Sequence, residues 1–152
     1  ARIQSYMKSG INVGIGCDGA ACNNLMDPFL EMRLMALLQK PLCGSTAMAA
    51  RQAFRIATQG GAKSLGQENQ LGTLEVGKLA DIVTIDRSHP SVCTVNDAYS
   101  AIVYSCTGRD VRNVFINGQP VIREGQHELI DEEQIKATAK RELKLLLKRS
   151  NI

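Results

Sequence analysis

The first part of the chain changes from a helical to a strand-like hydrophobic pattern. Residues 2–8 carry apolar side chains at helical spacing, and Gly10 is placed to close that helix in a left-handed turn. The next stretch, Ile11–Cys17, is apolar or small with no polar alternation after Asn12. This pattern is typical of a strand that is buried on both faces, as in a parallel sheet. A helix, a short turn and a buried strand make up half of an α/β unit.

Two more helices are expected after this strand. Asp27 is suited to cap the free amides of a helix and Pro28 fits its first position, so a helix is predicted from there to Pro41. Its apolar residues cover most of its circumference, which predicts packing on more than one side. A second helix is predicted with its cap at Ser or Thr in residues 45–46 and a break at the glycine pair 60–61.

From residue 71 onward strand patterns dominate. An apolar strand is predicted over residues 81–85. Further on, two β-rich runs flank Asn117 and Gly118, a residue pair that favours the type I′ turn of a hairpin. The β-rich part is followed by one last helix. It is predicted to begin after an Asp131 cap, with acidic residues first and basic residues last, as the helix dipole favours. Its apolar stripe over residues 135–147 predicts that the helix packs on the rest of the chain.

The chain therefore divides into three parts. Residues 1–70 form an α/β part, residues 71–130 a β-rich part and residues 131–152 a terminal helix, so the predicted fold class is α/β plus β. The first part has one convincing parallel strand, and a strand buried on both faces needs neighbours that this sequence does not supply. The chain also begins without Met. We therefore expect a piece of a longer protein.

Composition limits the classes of partner. The chain has 152 residues, 44% of them hydrophobic, which suffices for the core of one domain. Its net charge of +3 comes largely from the last helix, and with 3 Phe, 3 Tyr and no Trp it lacks a base-stacking pattern, so no nucleic-acid partner is expected. No apolar run approaches the roughly 20 residues of a membrane span. Five cysteines without a CxxC pair favour free thiols in a reducing compartment, so a cytoplasmic location is expected.

Asp18 is the main candidate for chemistry, because it directly follows the predicted buried strand. The carboxyl end of a parallel strand is where α/β folds bind ligands and where barrels place catalytic groups. The structural alternative is that Asp18 accepts hydrogen bonds from local amides in an Asx turn, with Gly16 and Gly19 allowing the bend. A phosphate-binding loop is disfavoured because the Lys-Ser/Thr of a P-loop is absent and the carboxylate would repel phosphate. The residues alone leave the first two interpretations open.

The neighbours of Asp18 add little to this choice. Cys17 lies within the predicted strand, where alternation points its side chain away from Asp18, so a small buried hydrophobic role is favoured. The sequence does not decide the role of Cys22. Asn23 and Asn24 either line a site or cap the next helix, and the sequence does not decide between these roles.

Three segments resemble the amidohydrolase superfamily, in the order in which that family has them. The last strand, loop and helix of the family's (β/α)8 barrel resemble residues 12–40, NVGIGCDGAACNNLMDPFLEMRLMALLQK. The exit from the barrel resembles residues 71–86, LGTLEVGKLADIVTID, and a hairpin of the small β-sandwich resembles residues 111–126, VRNVFINGQPVIREGQ. Within the family the chain is most similar to the deaminases of S-adenosylhomocysteine and 5′-methylthioadenosine and to the triazine chlorohydrolases. The resemblance implies the last β/α unit or units of an incomplete barrel, part of the β-sandwich, and a carboxyl-terminal helix.

The resemblance also implies a role for Asp18. The family's last barrel strand ends in an aspartate that binds a divalent metal, usually zinc in the deaminases, and that touches the attacking water, so Asp18 is expected to be the catalytic, metal-binding and substrate-binding residue. A metal lowers the pKa of its bound water to about 7, and an adjacent carboxylate can accept the proton. The family's other ligands, a His-x-His pair and further histidines, and its ring-protonating glutamate have no counterpart here. His89 and His127 are expected on the surface.

These implications predict part of a metal-dependent hydrolase that cleaves a ring C–N bond, a deaminase of adenosine-type or related heterocycles. The chain alone is expected to be inactive and not to hold its divalent metal, most simply zinc, tightly. The alternative is a non-catalytic folded module or subunit that self-associates or complements a missing barrel half. An exposed strand edge with apolar helix faces favours association, so the expected protein partner is a second copy of the chain or a complementing chain. The expected substrate of the complete enzyme is a small heterocycle.

Overall fold

The computed structural model describes residues 1–150 of the chain; the last two residues of the predicted 131–152 segment lie outside the described residues. The helices are α1 (Ile3–Lys8), α2 (Pro28–Cys43), α3 (Ala50–Arg55), α4 (Gly61–Ser64), α5 (Pro90–Cys93), α6 (Ala98–Ser100) and α7 (Glu132–Arg149). The strands are β1 (Ile82–Ile85), β2 (Val111–Ile116), β3 (Gln119–Arg123) and β4 (Gln126–His127). Two π-helical turns, Ile56–Gly60 and Ala101–Ser105, and a 3₁₀ turn, Gly108–Asp110, complete the pattern.

Helix α2 begins as its sequence predicts and ends two residues later than predicted. The Asp27 carboxylate accepts a hydrogen bond from the Phe29 amide at 2.9 Å, and Pro28 is the first helical residue. Pro41 does not end the helix, because its fixed φ suits helical backbone and its missing N–H weakens only the last turn. The end is set by Gly44, whose φ of 97° leaves the helical region and whose amide donates to the Lys40 carbonyl at 2.9 Å.

The second predicted helix forms with different ends. It starts at Ala50 without a side-chain cap, so the cap predicted in residues 45–46 is wrong. It also runs unbroken through the glycine pair 60–61, as α3, a π-helical turn and α4 in succession. A Cβ at position 60 would lie 2.2 Å from the Val13 carbonyl oxygen. Gly60 therefore permits close approach of residues 11–17 to an intact helix, and packing outweighs the low helix propensity of glycine.

One hydrophobic core joins the first half of the chain to the second. Its buried members come from α2, from the loop before α3, from α3 and its continuation, and from the segment 90–106: Phe29, Met32, Met35, Ala36, Met48, Ala53, Ile56, Val92, Ala101, Val103 and Cys106. Buried Gln39 ties α1 to α2, since its side chain bonds the Ile3 amide and the Ala1 carbonyl, each at 3.1 Å. The region predicted to be mainly strand thus contributes short helices to the core between β1 and β2.

The strands form a single antiparallel sheet in the order β1-β2-β3-β4. Ile82 pairs with Phe115, and Val114 pairs with Ile122 across the hairpin. Asn117 and Gly118 connect β2 to β3 with φ values of 49° and 78°, both positive as a type I′ turn requires, which confirms the predicted hairpin. Within residues 1–150 no second sheet faces this one, so the predicted β-sandwich is represented here by one layer.

The predicted parallel strand over Ile11–Cys17 is not formed. The segment belongs to no ladder within the part of the chain that is described, because the four strands of the sheet pair only with one another. Its burial also differs from the prediction: Val13, Ile15 and Cys17 are half-buried, whereas the intervening positions are exposed. A strand needs a neighbour to complete its hydrogen bonds. The barrel unit predicted for residues 1–70 is therefore not observed, and the fold is one of mixed helices with a small antiparallel sheet.

Helix α7 forms where predicted but does not pack. The Asp131 carboxylate accepts a hydrogen bond from the Gln134 amide at 3.0 Å and so caps the helix as expected. None of the residues of α7 is buried. The predicted packing of its apolar stripe on the chain is wrong, because amphipathicity creates a face without specifying what covers it. No helix within residues 1–150 is long and apolar enough to cross a membrane.

Candidate active site

Asp18 ends the extended segment and begins a tight loop. Its backbone is left-handed with φ of 59°, and its Oδ1 accepts a hydrogen bond from the Gly19 amide at 2.7 Å. The Gly19 carbonyl then accepts from the amides of Cys22 and Asn23, each at 2.9 Å. Aspartate is one of the few side chains that enter the left-handed region readily, and such backbone is common at functional sites. The carboxylate is exposed, so it is held at the loop tip and open to solvent.

The glycines around Asp18 serve two different purposes. A Cβ at Gly14 would lie 2.9 Å from the Ser64 hydroxyl oxygen, so Gly14 is required where the extended segment lies against α4. Asn12 strengthens the same contact, because its amide donates to the Ser64 hydroxyl at 2.9 Å. A Cβ at Gly16 or Gly19 would meet no atom within 4 Å in the described part of the chain. Only these last two glycines leave open space beside the carboxylate.

Asn23 holds the loop onto α2. Its Oδ1 accepts from the amides of Leu25 and Met26 at 3.2 and 3.1 Å, and its Nδ2 donates to the Glu31 carboxylate at 2.6 Å. The cap of α2 is Asp27. Asn23 therefore does not cap the helix, which was one of its two predicted roles, and instead holds the loop in place. The other predicted role of Asn23 and Asn24, lining a site, stays a prediction.

Cys17 is half-buried whereas Asp18 is exposed, which agrees with the predicted alternation of the segment. Burial raises the pKa of the Cys17 thiol, and the carboxylates of Glu31 and Asp27 raise it further. A thiol with a raised pKa is protonated at neutral pH and is a poor metal ligand. Cys22 lies exposed in the loop itself, and neither residue forms a disulfide.

The residues described do not fit a catalytic zinc by themselves. Residues 1–150 contain no group of three or more His, Cys, Asp or Glu side chains that could hold a metal ion. His89 is exposed and caps α5, and His127 is exposed on β4 with its Nε2 4.0 Å from the Glu132 carboxylate. A catalytic zinc ordinarily takes three protein ligands. Asp18 offers one carboxylate, so any metal site that uses it needs ligands from outside these residues.

Several long-range contacts that position the site region were not evident from sequence. Asp27 accepts from the Gly108 amide at 3.2 Å in addition to capping α2. The Arg33 guanidinium donates to the carbonyls of Cys106 and Val103 at 2.8 and 3.4 Å, which anchors α2 to the second half of the chain. Each contact joins residues 70 or more positions apart. No local sequence signal identifies such pairs.

Lys78 and Asp81 are close in sequence but contact different partners. The Lys78 ammonium donates to the Thr73 hydroxyl at 2.6 Å and to the Glu68 carbonyl at 2.8 Å. The Asp81 carboxylate accepts instead from the Asn117 amide at 2.8 Å. The two residues fix separate turns around the start of the sheet.

The chain belongs to the amidohydrolase family, whose family model matches residues 1–121. It is 40% identical over 138 residues to the 5-methylthioadenosine/S-adenosylhomocysteine deaminase of Moorella thermoacetica. This match covers 90% of the chain and 32% of the deaminase. It is 41% identical over 137 residues to the enzyme of the same name from Bacillus thuringiensis strain Al Hakam. This match covers 89% of the chain and 31% of the relative.

Two solved structures share the fold. An adenosine deaminase from Xanthomonas campestris with bound zinc matches 93% of this chain and 32% of its own, with a TM-score of 0.89 and 32% identity. A mutant of the atrazine chlorohydrolase TrzN from Arthrobacter aurescens TC1, in complex with zinc and atraton, matches 93% of this chain and 31% of its own, with a TM-score of 0.81 and 31% identity. The chain thus spans about a third of the length of its relatives.

Proposed function

We propose that this chain is the carboxyl-terminal part of a metal-dependent amidohydrolase that removes an amino group from a ring carbon of an adenosine-type heterocycle. Asp18 supplies one carboxylate to a divalent-metal site, most simply zinc, contacts the substrate and takes up a proton during hydrolysis. The remaining ligands and the substrate-reading residues belong to the two thirds of the relatives that this chain does not span. On its own the chain is inactive.

The observation that carries this proposal is the position of Asp18. It is an exposed carboxylate in left-handed backbone at the end of an extended segment that is fixed against a helix by Gly14, Gly60 and Asn12. The carboxylate is therefore presented from a fixed base, with open space at Gly16 and Gly19 on either side. The similarity to deaminases at 40% and 41% identity supports the reaction class.

A chimera tests the proposal directly. The stretch of the Moorella thermoacetica deaminase that matches this chain is replaced by the chain, and deamination of 5-methylthioadenosine and S-adenosylhomocysteine is followed by the absorbance change of the purine ring. We expect turnover by the chimera. The isosteric substitution Asp18→Asn should lower kcat/KM at least about a hundredfold, the usual scale for loss of a proton-transfer group, and should lower bound zinc as measured by metal analysis.

Asp131→Asn provides the matched control, since it makes the same chemical change at a helix cap in the same chimera and should leave turnover unchanged. Full activity of the Asp18→Asn chimera would contradict the role of Asp18. Turnover by the 152-residue chain alone with zinc supplied would contradict the need for outside ligands.

A second candidate function is a non-catalytic module that associates with itself or with a complementing chain. It is favoured by the exposed leucines of α2, with Leu38 and Leu42 61 to 62% exposed, and by an extended segment without a ladder partner within residues 1–150. Cooperative unfolding of the isolated chain, together with a folded but inactive chimera, would favour this function over the enzymatic one.

A further inference from the structure

The turn between β2 and β3 contains a chemically reactive residue pair. Asn117 and Gly118 form this turn and both are exposed, and Asn117 is the one asparagine of the sequence that glycine follows. We propose that Asn117 is a site of spontaneous deamidation, and that two contacts from the residues before β1 keep this site unreactive while the hairpin is closed. This inference does not depend on the catalytic proposal.

The reaction joins the side chain of Asn117 to the backbone that follows it. The Gly118 amide nitrogen attacks the Asn117 Cγ, a new N–Cγ bond forms, and the Cγ–Nδ2 bond breaks. The proton of the Gly118 N–H leaves with the departing nitrogen, so ammonia is released and a cyclic imide remains. Water then opens the imide at either carbonyl, which gives aspartate or isoaspartate. Glycine favours ring closure because it has no side chain to hinder the attacking nitrogen.

The backbone of the closed turn keeps the reacting atoms apart. Asn117 has a φ of 49° and Gly118 one of 78°, and the first central residue of a type I′ turn also has a positive ψ of about 30°. Ring closure needs the Gly118 nitrogen on the same side of the Asn117 Cα–C bond as the Cβ. At the ψ of the turn this nitrogen lies on the opposite side. The reaction therefore requires the turn to open.

Two hydrogen bonds from the residues before β1 oppose that opening. The Gly118 N–H, which carries the attacking nitrogen, donates to the Ala80 carbonyl at 3.0 Å. The Asn117 N–H donates to the Asp81 carboxylate at 2.8 Å. The first bond must break before the Gly118 nitrogen can turn, and the second holds the other side of the rotating bond in place. Asn117 is thus open to water but fixed in an unreactive conformation.

The pairing of β1 with β2 brings both acceptors to the turn. Ile82 pairs with Phe115 in an antiparallel ladder, so the residues just before β1 lie beside the end of the hairpin. The reactivity of Asn117 therefore depends on a contact between segments 36 positions apart. Isoaspartate would add one atom to the backbone of a two-residue turn, which would disturb the pairing of Ile116 with Gln119.

Peptide mass spectrometry of the 152-residue chain, after incubation at mildly alkaline pH, measures the reaction. Deamidation raises the mass of the peptide that contains Asn117, and chromatography separates its aspartate and isoaspartate forms. The folded chain should react at least about tenfold more slowly than the same chain unfolded in guanidinium chloride, because the rate follows the population of the open turn. Asn69, which is exposed and precedes Gln70, is the internal reference and should react more slowly than Asn117 in the unfolded chain.

Substitutions of Asp81 test the contacts. Asp81→Ala removes the acceptor of the Asn117 N–H and should speed deamidation of the folded chain about three- to tenfold, the change in open population expected when one hydrogen bond is lost. Asp81→Asn is the matched control, because its carboxamide oxygen can still accept that N–H, and it should change the rate less than about twofold. It creates no second Asn-Gly pair, since Ile82 follows.

Equal rates in the folded and the unfolded chain would overturn the protection by the turn. Slower reaction of both Asp81 variants would also overturn it, because the carboxylate would then be assisting removal of the Gly118 proton. An unfolded chain in which Asn117 stays intact would remove the site itself. Hydrogen exchange of β2 and β3 checks that each variant keeps the hairpin. If Asp81→Ala opens the hairpin, deamidation at the rate of the unfolded chain is expected, and a slower rate would contradict the proposal.

Discussion

Helices α2 and α7 are of similar length and both carry apolar side chains, yet they have opposite environments. The 16 residues of α2 include five buried ones, whereas the 18 residues of α7 include none. Both begin with an aspartate cap, at Asp27 and Asp131. The difference lies in their partners. Helix α2 is packed by residues 101–106 and tied to them through Arg33, and α7 has no such partner within the described residues.

This comparison shows that an apolar stripe and a good cap form a helix without deciding its burial. Helix α2 is fixed because a distant segment brings both apolar surface and hydrogen-bond acceptors to it. Helix α7 is stabilised locally by its cap and by the ion pairs of Lys136 with Glu132 and Glu133. The two helices should therefore respond differently to the same kind of substitution.

Truncation of an apolar side chain should give the largest difference. Phe29 on α2 is 7% exposed, and Phe29→Ala should lower the free energy of unfolding by about 3 kcal/mol or more through lost burial and a cavity. Leu143→Ala on α7 should change it by less than about 0.5 kcal/mol. Urea unfolding followed by circular dichroism measures both. Equal losses would mean that α7 packs as tightly as α2.

Removal of the helix caps should give an intermediate difference. Asp27→Ala loses the cap and leaves the Gly108 amide without its acceptor, so the free energy of global unfolding should fall by about 1 to 2 kcal/mol. Asp131→Ala should fray α7 locally and leave global unfolding unchanged. Hydrogen exchange resolved along the chain separates the two responses. A global loss from Asp131→Ala would contradict the independence of α7.

The smallest difference should appear in the dependence on pH. Hydrogen bonds from the side chain and backbone of Ser100 lower the pKa of Asp97, which caps the helix that leads into residues 101–105 beside α2. A lowered pKa in the folded state contributes stability that is present above the ordinary carboxyl pKa of about 3.9 and is lost as the pH falls through the folded value. Asp97→Asn should therefore flatten the loss of stability on the acid side, as measured by unfolding at a series of pH values.

The stability of helix α7 should depend on pH in the opposite sense, with the loss on the alkaline side. Hydrogen bonds to Glu133 and Glu132 raise the pKa of Lys136. A raised pKa contributes stability that is present below the ordinary lysine value of about 10.4 and is lost only as the pH rises through the folded value. Lys136→Gln should remove a small alkaline loss of α7 ellipticity, as measured by circular dichroism at a series of pH values. An alkaline loss of the same size in this variant would contradict the role of Lys136.

Features set by a few adjacent residues were predictable from the sequence. The start of α2 at Asp27 and Pro28, the turn at Asn117 and Gly118, and the Asp131 cap all follow from the backbone preferences and side-chain acceptors of the residues concerned. The family was also predictable, because its segments occur in order over nearly the whole chain and the family model matches residues 1–121.

Features that need a distant partner were not predictable. Low helix propensity at glycines 60 and 61 predicted a break, whereas the helix is unbroken and Gly60 instead admits the Val13 carbonyl against it. The apolar run Ile11–Cys17 predicted a strand, but a ladder needs a neighbouring strand and residues 1–150 do not provide one to it. The metal-binding and catalytic role of Asp18 stays a prediction, since it too depends on residues beyond those described.

The sequence by itself determined the family, the starts of α2 and α7, the hairpin turn and the position of Asp18 at the end of an extended segment, because local conformational preference and motif order suffice for these. Only the tertiary structure decided that α2 contributes to the core whereas α7 stays exposed, that Gly14 and Gly60 serve close packing, and that residues 1–150 contain no group of three or more His, Cys, Asp or Glu side chains that could hold a metal ion. The physical reason is that burial and ligand sets are properties of surfaces brought together across the chain, and one surface does not specify the other.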